Sequence, residues 1–276
     1  MKFGKTLSVV FAACCLGTAY GSGFALYQPS VISHAMGGAL VGKAMDASAN
    51  FNNPATLTDL TNIWVTAGFV TEHPRAKERA YNNGRYLGDV NTDAGLFWLP
   101  HFQLAVPLPH GFSFGLAGDA EYGLGTDFGE SAPTAWSCTE TTVQGYVINP
   151  NLAYKITDKW SVGAGLRWLF FDFEQYKNLG LMSYHLYGNN RFESFGWQAG
   201  TKYDILDNLS VGLVYKSPID VNVRGDTDAH AKVNDPKVVG TAAAMTDGAD
   251  CGLMLPQSVT AGINWDVVKT WHLGFA

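Results

Sequence analysis

WSVGAGLRWLF, residues Trp160–Phe170, puts Val162, Ala164, Leu166, Trp168 and Phe170 on one side of an extended chain and Ser161, Gly163, Gly165 and Arg167 on the other. One side is fatty and the other small or polar, so the strand separates two different surroundings. The pattern recurs. Phe195, Trp197, Ala199 and Tyr203 oppose Gln198, Gly200 and Lys202. Leu209, Val211, Leu213 and Tyr215 oppose Ser210, Gly212 and Lys216, and Val259, Ala261, Ile263 and Trp265 oppose Ser258, Thr260, Gly262 and Asn264.

Alternation alone also fits a soluble sandwich, and the connections decide between the two. Those at 107–111, 157–159, 206–208 and 267–270 are short, those at 73–95, 122–143, 175–194 and 220–255 are long, and the two kinds alternate strictly. Bacterial transmembrane barrels have short periplasmic turns, long external loops and aromatic girdles at both interfaces, a role that Trp160, Trp197, Tyr203, Tyr215 and Trp265 fit. A sandwich has no reason to keep that parity. The sequence therefore predicts an all-β chain forming a transmembrane antiparallel β-barrel. Its strands fall near 63–72, 96–106, 112–121, 144–156, 160–173, 195–205, 209–219 and 256–266, with another begun at 271–276. An unpaired edge in lipid leaves backbone groups unsatisfied, so the expectation is a piece of a longer protein.

Composition agrees with a wall that lipid covers. With 47% apolar, 15% charged and 13% aromatic residues and 31 glycines, the chain has too few charges for an ordinary soluble surface. The net charge of -6 and the lack of clustered Lys and Arg argue against nucleic acid as a partner. Lys2 and Lys5, the apolar run Thr6–Leu16 and the small residues of Ala19-Tyr20-Gly21 predict a signal peptide over 1–21, too short to span a bilayer. Its removal leaves Cys138 and Cys251, both in external loops by parity, as a possible disulfide. No metal site and no cofactor are implied.

Four stretches resemble the FadL-type family of outer-membrane long-chain fatty acid and hydrocarbon transporters. They are Ser22–Leu57, with Gly23-Phe24-Ala25-Leu26, Asp46-Ala47-Ser48 and Asn53-Pro54-Ala55; Gly111–Phe128; Ile148–Arg167; and Leu209–Gly225 joined to Leu255–Trp271. The resemblance implies a monomeric barrel of about fourteen strands, roughly nine of them present here, in the outer membrane of a Gram-negative bacterium. It implies that residues 22–61 form an N-terminal hatch plugging the lumen and that 62–276 form the incomplete barrel. It also places Asn53, Pro54 and Ala55 as a hatch motif against a kink in the third strand, beside a lateral opening, the kink falling at Gly118, Gly123 or Gly125.

The implied activity is uptake of long-chain fatty acids or similar hydrophobic compounds by capture in external loops, hatch rearrangement and lateral release into outer-membrane lipid. Tyr176, Leu179, Leu181, Met182 and Tyr184, with Leu186 and Tyr187, are the apolar loop residues available for capture. Arg167, Lys202 and Lys216 face inward by parity and are the candidates for an anionic head, unless neighbouring carboxylates hold them. An aromatic hydrocarbon channel needs no such cation and is the alternative, ahead of a general porin. A barrel enzyme is disfavoured because the seven histidines are scattered, with no G-x-S-x-G or H-E-x-x-H pattern. The expectation is a protein that is not an enzyme.

Overall fold

A computed structural model describes residues 24–27, 29–92, 95–268 and 271–276; the expected signal peptide, 1–21, lies outside them. Among the described residues no helix is long and apolar enough to cross a membrane, and the chain crosses with strands. The wall is a curled antiparallel sheet of β1 (Trp64–Glu72), β4 (Phe97–Pro107), β5 (Phe112–Asp127), β6 (Glu140–Thr157), β7 (Trp160–Asn178), β9 (Ser194–Leu206), β10 (Leu209–Lys216), β13 (Ser258–Val268) and β14 (Trp271–Phe275), paired in that order. These are the strands that alternation predicts.

The long connections are not loops throughout. β2 (Lys77–Asn82) and β3 (Arg85–Asn91) form a separate hairpin, while β8 (Met182–Asn189), β11 (Ile219–Ala231) and β12 (Asp247–Leu255) carry the wall beyond the ends of β9 and β10, with β8 pairing β7 and β11. β5, β6 and β7 also run further than expected, staying paired as far as Asp127↔Glu140 and Glu140↔Tyr176. Beyond the membrane no lipid demands an apolar side, so in β8 and β12 the period-two signal fades although the hydrogen-bond ladder continues, while β11 keeps it, with Ile219, Val221 and Val223 buried.

Outward side chains mark the membrane. Trp160 lies opposite Tyr203 near the short turns, and eight residues up β7 Trp168 stacks on Phe195, their centroids 5.8 Å apart. At ~3.3 Å per residue those two aromatic levels stand roughly 26 Å apart along the strand, which the usual tilt of about 40° turns into about 20 Å across the membrane, within the ~25 Å apolar band of such barrels.

Residues 24–61 pack against the inner face of the wall. They carry α1 (Val31–Ala35), α2 (Ala49–Asn52) and a 3-10 turn, Pro54–Asp59. Ser30 caps α1 by accepting the Ser33 N–H, and Asn53 caps the 3-10 turn by accepting the Ala55 N–H. Glycine lets the two backbones meet. A Cβ on Gly163 of β7 would sit 2.6 Å from the Ala55 nitrogen, and Gly200 of β9 and Gly212 of β10 are crowded in the same way by Asn53 and Val41. That is why the inward side of Trp160–Phe170 is so small.

Most of the remaining inward amides are paired with one another, although Gln198 Oε1 has no partner among the described residues. Gln198 Nε2 donates to the Asn50 carbonyl at 2.7 Å and to Asn149 Oδ1 and Asn151 Oδ1 at 2.8 Å, and Asn151 Nδ2 donates to Asn50 Oδ1 at 3.0 Å. All four side chains are buried, so each bond also avoids the desolvation penalty of an orphaned polar group. Pro150 has no N–H for the β6–β7 ladder, and the Asn149 side chain instead donates to the Leu166 carbonyl.

Gly163→Val is expected to unseat the N-terminal segment, destabilising the protein by about 1–3 kcal/mol through overpacking. The check is a lower temperature for the shift from folded to unfolded electrophoretic mobility. Gly118→Ala, whose new Cβ meets nothing nearer than 4.0 Å, is the control that should not move it.

Candidate functional site

Two discontinuities of the wall shape the lumen. The β4–β5 ladder stops at His101↔Asp119, although β1 and β4 stay paired to Glu72↔Phe97 and β5 and β6 to Asp127↔Glu140. Above Asp119, β5 therefore has a free edge. The N-terminal segment fills part of it as a short added strand: the Leu26 N–H donates to the Glu121 carbonyl and the Gly123 N–H to the Phe24 carbonyl, both at 2.8 Å, and Ala25 bridges Tyr122. A cavity of about 450 Å³ lies at this gap, lined by Leu26, Phe97, Leu99, Leu124, Val143 and Tyr146 among others.

The second discontinuity is a β-bulge in β5. The register slips between Ala120 and Tyr122, so the irregularity of the third membrane strand is at Glu121, between Gly118 and Gly123 rather than on a glycine. Gly123 and Gly125 instead admit the side chains of Leu26 and Phe97. Because a bulge breaks the alternation, Glu121 and Tyr122 both turn inward and both are buried.

Glu121 and Tyr122 meet Arg167. Its Nη2 lies 2.5 Å from Glu121 Oε2 and 3.0 Å from the Tyr122 hydroxyl, while Nη1 reaches the Ser217 carbonyl at 3.5 Å. Arg167 is only 2% exposed, and its Nε has no hydrogen-bond partner among the described residues. Lys216 stands 3.7 Å from the same Glu121 oxygen and 3.5 Å from the centroid of the Phe51 ring on α2. Between wall and N-terminal segment lies a cavity of about 150 Å³, lined by Arg167, Lys216 and Glu121 together with Leu26, Val41 and Phe51.

Beyond this cluster, toward the long-loop end, the inner wall turns apolar. Val143, Val147, Leu169, Phe171, Ile219 and Leu255 form one buried cluster with Tyr122, and Phe24 packs on it. Sequence reading missed this cluster and Glu121. The signal for the cluster was the run Trp168-Leu169-Phe170-Phe171, apolar on both faces of one strand.

The other expected residues are dispersed. Lys202 lies six positions lower than Arg167 in the β7 register, opposite Ser161, and is held by Asp59 and by Asp204 at 3.1 Å. It ties the end of the N-terminal segment to β9. Asn53, Pro54 and Ala55 lie against β7 and β9, with Asn53 Nδ2 donating to the Val41 and Thr201 carbonyls at 2.7 and 3.1 Å. The third membrane strand is met instead by Asn50 and Leu57, at Gly115, and by Leu26.

The apolar loop residues do not share one groove. Tyr176 stacks on His185 at 4.0 Å and bonds Glu174, whereas Tyr184, opposite Lys177, is on the other face of the β7–β8 hairpin. Leu179, Leu181 and Met182 make the turn between them, tied by the Leu179 N–H to the Met182 carbonyl at 2.9 Å. The expected disulfide is absent: Cys138 and Cys251 are both free thiols. Cys138 sits before β6 with its sulfur 3.0 Å from Thr141 Oγ1, while Cys251 is exposed on β12 opposite Val223, so the two belong to different parts of the wall.

Among the described residues no group of three or more His, Cys, Asp or Glu is placed to hold a metal ion. The features define a class: an outer-membrane β-barrel with a folded N-terminal segment inside it and a lumen that is apolar toward the long loops and cationic beneath. The family model described as Outer membrane protein transport protein (OMPP1/FadL/TodX) matches residues 12–276, and the chain belongs to that family.

Its relatives include the long-chain fatty acid transport protein of Salmonella typhi, 24% identical over 250 residues, covering 81% of this chain and 57% of that protein. Outer membrane protein P1 of Haemophilus influenzae is 21% identical over 287 residues, covering 84% and 61%. The chain thus spans less than two thirds of these relatives. Among solved structures it is similar to a Pseudomonas aeruginosa FadL homologue (TM-score 0.77, 18% identity, 91% of this chain and 68% of that one) and to the Ralstonia pickettii toluene transporter TbuX (TM-score 0.67, 16% identity, 91% and 71%). The protein is one of the Gram-negative outer membrane.

Free thiols make a direct prediction. A membrane-impermeant maleimide applied to intact cells without reductant is expected to label Cys251 rapidly and Cys138 more slowly, as mass spectrometry of the labelled peptides reads. Labelling that requires prior reduction would mean that the two are oxidised in the cell.

Proposed function

We propose that the protein carries long-chain fatty acids or similar hydrophobic compounds across the outer membrane, with residues 22–61 acting as its hatch. One observation carries the reading: the cavity between the wall and the N-terminal segment sets the buried cations Arg167 and Lys216 beside the apolar Leu26, Val41 and Phe51. An acyl chain fits against the apolar lining of the two cavities, Leu26, Val41 and Phe51 in one and Phe97, Leu124 and Val143 in the other, and a carboxylate fits beside Arg167 and Lys216. Burying each methylene is worth about 0.8 kcal/mol, so a few along that wall give useful affinity. The orphaned Arg167 Nε is a donor that such a carboxylate satisfies.

The route follows from the same geometry. Apolar cargo gains nothing from an aqueous pore, so it is captured at the external end, moves down the apolar lumen, and leaves sideways through the gap between β4 and β5 once Phe24–Leu26 withdraws from the β5 edge. Release is into outer-membrane lipid. Asn53, Pro54 and Ala55 hold the hatch to β7 and β9, and Lys202 with Asp59 secures its lower end. The carrier works as a monomer, without a cofactor and without a catalytic step. The name of the Salmonella relative, a long-chain fatty acid transport protein, supports the cargo class.

The test is uptake of a radiolabelled long-chain fatty acid by cells lacking their own carrier and expressing the full-length gene product. Arg167→Met is expected to lower that uptake about tenfold, equivalent to about 1.4 kcal/mol, while leaving a neutral aromatic hydrocarbon unaffected. Asn53→Ala is expected to impair both. A correctly inserted parent that takes up the hydrocarbon but not the fatty acid would move the assignment to an aromatic hydrocarbon channel.

A further inference from the structure

We propose that Glu121 is a built-in substitute for the cargo's anionic head, and that an anionic amphiphile enters by displacing it from Arg167 and Lys216 and so loosens Phe24–Leu26 from the wall gap. This rests on the function proposed above and supplies its trigger.

The bulge is the first support. Strict alternation would send either Glu121 or Tyr122 into lipid; the extra residue in β5 turns both toward Arg167, one as acceptor at 2.5 Å and one at 3.0 Å. A bulge sacrifices ladder bonds to re-aim a side chain: Glu121 already points inward with Ser113, Gly115, Ala117 and Asp119, and the extra residue brings Tyr122 in beside it, so that both face Arg167. Charge gives the second support. Two cations, Arg167 and Lys216, pair directly with one carboxylate, Glu121; the neighbouring Asp119 accepts from Gln103 Nε2 at 2.7 Å and forms no ion pair with either cation among the described residues. A buried cation left without a partner is strongly destabilising, so an empty carrier with this site needs an anion of its own.

The third support is connectivity. The residue whose side chain occupies the head position also holds the added strand through its main chain, because the Glu121 carbonyl accepts the Leu26 N–H at 2.8 Å. Lys216 carries the coupling to α2, with its ammonium over the Phe51 ring. Displacing the Glu121 carboxylate therefore disturbs the bulge, the strand seated on it and the lysine resting on the hatch together. An anionic amphiphile supplies the replacement charge. A neutral hydrocarbon does not, and leaves Glu121 in place.

The measurement is equilibrium binding of a fluorescent polyene fatty acid and of its methyl ester to purified full-length protein in detergent, with folding of each variant checked by electrophoretic mobility before and after heating. Lys216→Gln is expected to weaken binding of the acid about tenfold, because the remaining Arg167 is then neutralised by Glu121. Adding Glu121→Gln to that variant is expected to restore the acid to within about threefold of wild type, because one cation is again unopposed. Ester binding is expected to stay level throughout. Recovery produced by a second substitution cannot come from a damaged fold. Cleavage by protease between Phe24 and Tyr27 is expected to accelerate with the acid and not with the ester.

If the wild type prefers the acid but the double variant stays as weak as Lys216→Gln, Glu121 does not compete with cargo and this inference fails alone. If the wild type binds acid and ester equally, the anionic-cargo function fails and the inference with it.

Discussion

The contact on which the rest of the molecule depends is the meeting of two backbones, that of the N-terminal segment and that of the wall. At Gly163 and Gly212 there is no room for a Cβ between them. Proximity of that kind excludes water and leaves every polar group on either surface to find a partner across the contact. The Asn50, Asn149, Asn151 and Gln198 network is the response, as is the Lys202–Asp59 pair below it. A lumen lined with large apolar residues at this level would have no place for the segment, and one lined only with charges would not release it from water.

Height along the barrel then divides the interior by chemistry. At the level of the short turns the inner wall is small and amide-rich and binds the segment. One step higher Arg167, Lys216 and Glu121 concentrate charge in a space already closed to solvent, where electrostatic interactions are several times stronger than at a surface. Higher still the wall is apolar on its inner face. The order polar, charged, apolar runs from the periplasmic end outward, and the break in the β4–β5 ladder sits beside the charged level, so the interior meets the membrane at the height of Arg167 and Glu121.

Much of the wall was legible because each of its residues has lipid on one side and something small or polar on the other, and period two records that contrast directly. Arg167 and Lys216 were legible for the same reason. Parity tells which face a residue takes but not its height, and so Lys202 read as their equal although it serves the opposite end of the segment. The outer strands β8 and β12 were not legible as strands, since both of their faces meet similar surroundings, whereas β11 does alternate, Ile219, Val221 and Val223 buried against exposed Asp220, Asn222 and Arg224, and was missed. Glu121 shares the inward parity of Asp119 and could have been read as inward-facing; what the sequence hides is the slip that brings Tyr122 to the same side, which changes no composition, and the partner Arg167, 46 positions from Glu121. Pairing of Cys138 with Cys251 failed as an expectation because sharing a side of the membrane says nothing about sharing a neighbourhood.

The seat of the N-terminal segment also has a history in time. The Gly42 N–H donates to Asn264 Oδ1, 222 positions further along, and Asn264 Nδ2 donates to the Ala39 carbonyl, 225 positions back. Contacts so distant in the chain close late, because the entropy of the intervening loop must be overcome before they yield anything. By that argument the N-terminal segment, although made before the wall, docks after it, and the seat that receives it exists only once Asn264 is in place.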